Sequence, residues 1–296
     1  MERIDLPAQV AAYASWLARR PLAPATHRAY LLQVRLYVAY LTSPACAIPA
    51  PFLDPDASLH AVRDYKTYLK TVRRVKPSSV NLALAAIDSF YAYLGLDRPA
   101  VRREDLPRAA PRALAPAEQV RFLRAVERCP VIRNRAIAHL LFYTGIRLGE
   151  CAALNVDDVP LSARKGRVIV RAGKGDSYRE IPLNAAVRTS LQSWLTTRRQ
   201  AFPDSADPAL FLAPAGGRLS SRAIDLLLRQ LGTAAGLPLS AHILRHTCLT
   251  TLVRNGTDLV LVAELAGHTR LETTRRYSLP TARDREAAME RLQVEY

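Results

Sequence analysis

The sequence predicts a mainly α-helical protein with one small β-sheet, divided into two domains. Three observations predict it. Apolar residues recur at helical spacing through the first hundred residues. Residues 97–113 then interrupt every periodicity with three prolines and five arginines, as an extended linker would. Beyond them helical patterns return, broken once by two alternating segments around a glycine-rich turn, the signature of a β-hairpin. A chain of 296 residues is long enough to bury two cores.

The elements follow in order. Pro7 to Arg20 is amphipathic, with Val10, Tyr13, Trp16 and Leu17 on one face. A second helix is expected to start at the cap candidate Thr26 and to bury Tyr30, Val34, Tyr37 and Leu41. After a proline-rich loop, Ser58 is the expected cap of a third helix running to about Val72. Pro77 opens a fourth, with Val80, Leu84, Ile87, Tyr91 and Leu94 inward and Gly95 closing it. These make a small bundle whose aromatic stripes read as core. In the second domain, helices are predicted over 116–128 and 131–143, with a short one from Arg147. Strands are predicted over 167–171 and 178–183, flanking the turn Ala172-Gly-Lys-Gly-Asp176. Helices follow over 184–199 and 220–235, and 240–278 is helical with breaks at Gly256 and Gly267. The boundaries drawn are 1–105 for the first domain, 106–113 for the linker, 114–280 for the second domain and 281–296 for a terminal helix.

The net charge is +16 and the isoelectric point near 10.2. Five lysines stand against 37 arginines, so coding bias accounts for the choice of arginine but not for the excess of base over acid. Both parts of the chain are basic, which points to a polyanion, nucleic acid first, and not to a single charged tail. Cys46, Cys129, Cys151 and Cys248 are scattered singly with no zinc spacing, and read as reduced thiols. No signal peptide pattern or 18-residue apolar run is seen, so the expectation is a cytoplasmic protein with no membrane contact.

The chemistry concentrates late in the chain. Transfer of a phosphodiester needs a nucleophile, positive charge on the non-bridging oxygens, an acid for the leaving oxygen, and alignment. Tyr277, nine residues after His268, is the candidate nucleophile; a phenol with a pKa near ~10 needs cationic neighbours or a base to act at neutrality. Arg147 and Arg245 are candidates for a phosphate clamp, since guanidinium meets two oxygens at once and stays charged. His242 lies one helical turn before Arg245 and is the candidate proton handler or positioner. His246, one turn beyond His242, reads as structural support. Two histidines at that spacing can also hold zinc, but the glutamate of the metalloprotease pattern is missing and no metal is expected.

Taken together, Tyr143-Thr-Gly-Ile-Arg147-Leu-Gly-Glu150, His242-Ile-Leu-Arg245-His246, Glu264-Leu-Ala-Gly-His268 and Tyr277 resemble the boxes of the tyrosine recombinases, the phage integrase family. Ala266 stands where the family usually carries leucine, at a packing position. The resemblance implies several things. Lys174, at the tip of the glycine-flanked hairpin, would be the general acid that protonates the departing 5′ oxygen. His268 would donate a hydrogen bond to the phosphate, and Glu150 would orient the arginine and histidine network. The first domain would be a helical core-binding (SAM-like) domain and the second an α+β catalytic domain, together clamping a specific core site in double-stranded DNA. Tyr277 would form a 3′-phosphotyrosine, and strands would exchange through a Holliday junction in a tetramer, of one protein or of two paired homologues. No cofactor or metal is implied, because the covalent bond keeps the phosphodiester energy. The terminal helix would dock into a neighbouring subunit. Dimer resolution, transposon resolution and integration stay open as roles, and the layout is most similar to Xer-type and transposon-encoded enzymes. Type IB topoisomerases share the chemistry, and a non-catalytic DNA-binding regulator could share the fold. The compact first domain and the terminal helix favour recombination over the former, and the complete residue set argues against the latter.

Overall fold

The computed structural model describes residues 5–48, 51–52, 54–106, 112–162, 164–171, 178–268, 271–279, 286 and 289–290. Its contacts divide the chain into two compact units, Met1–Pro107 and Arg108–Tyr296.

The first unit is built from four helices: α1 (Leu6–Ala18), α2 (Pro24–Leu41), α3 (Pro55–Thr71) and α4 (Pro77–Tyr93). Each has a proline in its first turn, where the missing N–H is no loss and the fixed φ favours the helix. This explains two departures from the expected starts. Thr26 lies inside α2, which begins at Pro24 behind Ala23 with no side-chain cap. Ser58 lies inside α3, which Asp54 caps by accepting from the Ala57 amide at 2.7 Å. Ser58 Oγ instead donates to the Pro51 carbonyl at 3.0 Å. The aromatic stripes are core: Tyr13, Tyr37, Tyr65, Phe90 and Tyr91 are fully buried. The hydroxyls of three of them find partners, Tyr37 with Tyr91 at 3.1 Å and Tyr13 with Ser89 at 3.0 Å. Burial without those bonds would cost about 1–3 kcal/mol each.

The chain after α4 has neither helix nor strand up to residue 106, as an extended segment should. It is nonetheless pinned to its own unit. Glu104 sits between Lys66 and Lys70 at 2.8 and 3.0 Å. Its backbone N–H donates to the Asn81 side chain and its carbonyl accepts from it, at 2.7 and 2.9 Å. Arg103 bridges Asp88 at 2.5 Å.

The second unit carries α5 (Pro116–Arg128), α6 (Ile132–Thr144), α7 (Leu148–Ala153), β1 (Arg167–Val170), β2 (Arg179–Pro182), α8 (Ala185–Ala201), α9 (Ser221–Ala234), α10 (Ala241–Arg254), α11 (Leu259–Ala266) and α12 (Leu271–Arg275). The strands pair antiparallel, with Val168 opposite Ile181 and Val170 opposite Arg179. The hairpin tip with Lys174 lies outside the described residues, as does most of the expected terminal helix within 281–296. α6 is buried on nearly every side and runs through the core, packing on α8 and α10. Around it Phe122, Ile137, Leu141, Val168, Leu191, Leu228 and Leu244 close one continuous apolar cluster. A separate small cluster of Leu249, Val262, Ala266 and Tyr277 lies beside α10 and α11. Among the described residues no helix is long and apolar enough to cross a membrane.

Candidate active site

Three chain reversals bring the candidate residues together. α6 ends at Gly145, which adopts a left-handed φ of 61°, and two residues later Arg147 caps α7. α11 ends in the same way at Gly267, φ 62°, which puts His268 just beyond the helix. α10 is started by Ser240, whose hydroxyl accepts from the Ile243 amide, and it presents His242, Arg245 and His246 within its first two turns.

The C-terminus of α11 anchors three guanidinium groups in a row. Arg179 donates to the Leu265 carbonyl at 3.0 Å, Arg245 to Ala266 at 2.7 Å, and Arg147 to Gly267 at 2.9 Å. Those carbonyls have no partners within the helix and carry the negative end of its dipole, so they attract cations. A side chain at Gly267 has no room, because a Cβ there would lie 2.9 Å from the Arg179 guanidinium. Glu150 completes the frame. It accepts from the Arg147 side chain at 2.8 Å and from Arg179 at 2.6 and 3.1 Å, while its second oxygen also takes the Arg147 amide at 2.8 Å. Burial pushes the Glu150 carboxyl up, but the bonds from Arg179 and Arg147 together outweigh it and hold the pKa at about 2.

Arg245 is buried, and donates to the Gly145 carbonyl at 2.6 Å as well as to Ala266. Burial, with Arg147 nearby, lowers it to about 10, which leaves it charged at neutrality. It also points an N–H at His268 Nε2, 3.0 Å away, while His268 Nδ1 meets Thr274 Oγ1 at 2.8 Å. An arginine cannot accept, so this network assigns the His268 proton to Nδ1. Burial and the three arginines depress His268 to about 4. The Tyr277 ring lies parallel to His268, with centroids 6.1 Å apart, and is itself buried. Its hydroxyl meets His246 Nδ1 at 3.0 Å. Burial raises the Tyr277 phenol, opposed by Arg245 and Arg276. His246 is lowered to about 4 by burial, then by His242, Arg245 and Arg276.

Arg147, Glu150, Arg245, His268 and Tyr277 therefore share one site, with His242 at its edge, its ring stacked on His246 at 5.9 Å. Lys174 lies outside the described residues. Two participants were not expected. His246, expected as structural support, makes the hydrogen bond to Tyr277, and Arg179 is not among the expected site residues. A signal for Arg179 existed: it occupies an inward position of an alternating strand, where Ile181 is also buried. A charged residue on the buried face of a strand needs a partner. The arrangement can hold an anion between Arg147 and Arg245 near the Tyr277 hydroxyl. Among the described residues no cluster of metal-ligating side chains occurs.

Comparison with known proteins places the chain in a family. Residues 112–283 match the model of the phage integrase family. The chain is 36% identical over 220 residues to tyrosine recombinase XerC of Roseiflexus castenholzii, a match covering 70% of this chain and 69% of that protein. It is 30% identical over 265 residues to tyrosine recombinase XerA of Pyrococcus furiosus, covering 87% of each. Among solved structures, XerH site-specific recombinase bound to its difH substrate matches in fold with a TM-score of 0.71 at 21% identity, over 99% of this chain and 90% of that one.

Proposed function

The chain belongs to the phage integrase family and is a tyrosine-type site-specific DNA recombinase, and on that premise we propose that Tyr277 attacks the scissile phosphate to form a 3′-phosphotyrosine. Arg147 and Arg245 clamp the non-bridging oxygens, each with its guanidinium already fixed by backbone carbonyls. Fixed donors need no reorganisation when charge develops, which is where most of the rate enhancement of such sites originates. Glu150 orients Arg147 by accepting from it and from Arg179 together. His268 reaches the phosphate from Nε2, which requires a proton there; an anion bound beside Arg245 offsets the charges that depress its pKa. Lys174 protonates the 5′ oxygen, and His242 supports the nucleophile's side through the stacked His246 ring.

The broader reading follows the same premise. The first unit holds one face of a specific core site, two sites come together in a tetramer, and strands exchange through a Holliday junction. The residues after 280 link neighbouring subunits. No cofactor enters the scheme, because the phosphotyrosine keeps the energy of the broken bond. The protein acts wherever the replicon is, in the cytoplasm.

The observation that carries this reading is a buried tyrosine, its hydroxyl on His246, whose charged neighbours include the buried, carbonyl-anchored Arg245. The test is to incubate the full chain, without metal, with DNA bearing its target and to look for an SDS-resistant protein–DNA adduct. The wild type is expected to give one at a discrete site, and Tyr277→Phe to give none while still binding. An adduct that persists in Tyr277→Phe removes the nucleophile assignment.

A further inference from the structure

We propose that His246, and not His242, takes the hydroxyl proton of Tyr277 during strand cleavage and returns it on rejoining. The inference rests on Tyr277 being the nucleophile. His246 Nδ1 stands 3.0 Å from the Tyr277 hydroxyl, within the reach a general base needs. Its ring is 5.6 Å from the Tyr277 ring and is carried by α10, directly after Arg245, so base and clamp are set by one rigid element. Tyr277 is only 6% exposed, so bulk water is a poor alternative acceptor. His242 reaches the pair only through its ring, stacked on the far imidazole at 5.9 Å.

The charges around His246 make this base conditional. His242 and Arg245 face it from α10, Arg276 and Tyr277 from the segment after α12, and His268 from the end of α11. Burial, together with His242, Arg245 and Arg276 and with no anion to offset them, holds His246 at about 4, too weak to draw a phenol proton. A phosphodiester seated between Arg147 and Arg245 adds a negative charge and raises His246 toward the working range. The base is thereby strengthened by the substrate it serves. In the step itself the Tyr277 O–H bond breaks and its proton passes to Nδ1. The oxygen forms the bond to phosphorus, the P–O5′ bond breaks, and the 5′ oxygen leaves with a proton from the acid on its own side. On rejoining, the 5′ hydroxyl returns its proton to the conjugate base of that acid as its oxygen attacks phosphorus, the bond from phosphorus to the Tyr277 oxygen breaks, and the imidazolium Nδ1–H protonates the departing tyrosine oxygen.

The test uses the full chain and a duplex it selects from a random-sequence pool, with the scissile position located by the Tyr277 adduct. The same duplex is made with a 5′-bridging phosphorothiolate, whose thiolate leaves without needing a proton. His246→Ala removes the base, whereas His246→Asn keeps an acceptor near Nδ1 but cannot hold the proton. Both are expected to bind DNA and to form adduct about 100-fold more slowly on either substrate, the scale of a lost general base. Lys174→Ala is expected to lose activity on the ordinary duplex and to regain it on the phosphorothiolate. The wild-type cleavage rate should rise with pH to a plateau, and His246→Asn should lose that rise. Cleavage by His246→Asn at the wild-type rate, or its repair by the phosphorothiolate, overturns the proposal. Nitrogen NMR of the wild type supplies a measurement independent of any variant's folding: His246 Nδ1 is expected bare at neutral pH, and a protonated Nδ1 also overturns it. An adduct in Tyr277→Phe is a different result, and removes the nucleophile reading instead.

Discussion

Glu150 is a carboxylate with a side chain only 5% exposed, and it stays ionised there because two guanidinium groups and a backbone amide converge on it. Its pKa is about 2 in the fold against an ordinary 4.5. A folded pKa below the unfolded one means the group stabilises the fold fully above about 4.5, and that this contribution fades as pH falls toward about 2. The shift corresponds to about 3 kcal/mol. Glu150→Gln is therefore expected to lower stability at pH 7 by about that amount and to flatten the acid limb between those two values, read by denaturant melts across pH. An unchanged acid limb would show that the two arginines do not depend on this charge. Of the residues proposed for the site, Arg147, His242, Arg245 and Tyr277 are suggested by residue chemistry and spacing, whereas Glu150 and His268 enter only through the family resemblance. The His246 contact is not legible, because it joins positions 31 residues apart through the packing of α10 against the segment that follows α12.

At the level of elements, the first turns decide where helices begin, and proline outweighs the hydroxyl caps read from the sequence. The observed cap Asp54 and the expected cap Thr26 differ in consequence. Asp54→Ala removes a side-chain bond to a helix amide and is expected to cost about 1 kcal/mol in the stability of the first unit. Thr26→Ala removes no cap and is expected to stay within about 0.5 kcal/mol of the wild type. Thermal melts of the two variants check this, and the reverse order would return Thr26 to the cap position. The hairpin is legible from alternation on either side of a glycine-rich turn, and the paired register of β1 and β2 agrees with it. What alternation does not reveal is the purpose of the inward Arg179, whose partners Glu150 and Leu265 lie 29 and 86 residues away.

For the whole molecule, a net charge of +16 spread over both units predicts DNA binding dominated by phosphate contacts and counterion release. Affinity for a duplex of random sequence is expected to fall by about 10³-fold or more between about 50 and 200 mM salt, as for proteins that neutralise six or more phosphates. A slope near zero in a salt titration would place most of the arginines outside the interface. The sequence by itself determined the fold class, the helical bundle, the hairpin and the family, because periodicity, proline placement and the three spaced boxes are local patterns that survive in one dimension. Only the tertiary structure decided which groups touch. It seated three arginines on successive carbonyls of α11, enclosed Glu150 between two of them, and set His246 against Tyr277. Contacts of that kind form where distant segments meet and exclude water, and the strength of a charge or a base there depends on that exclusion.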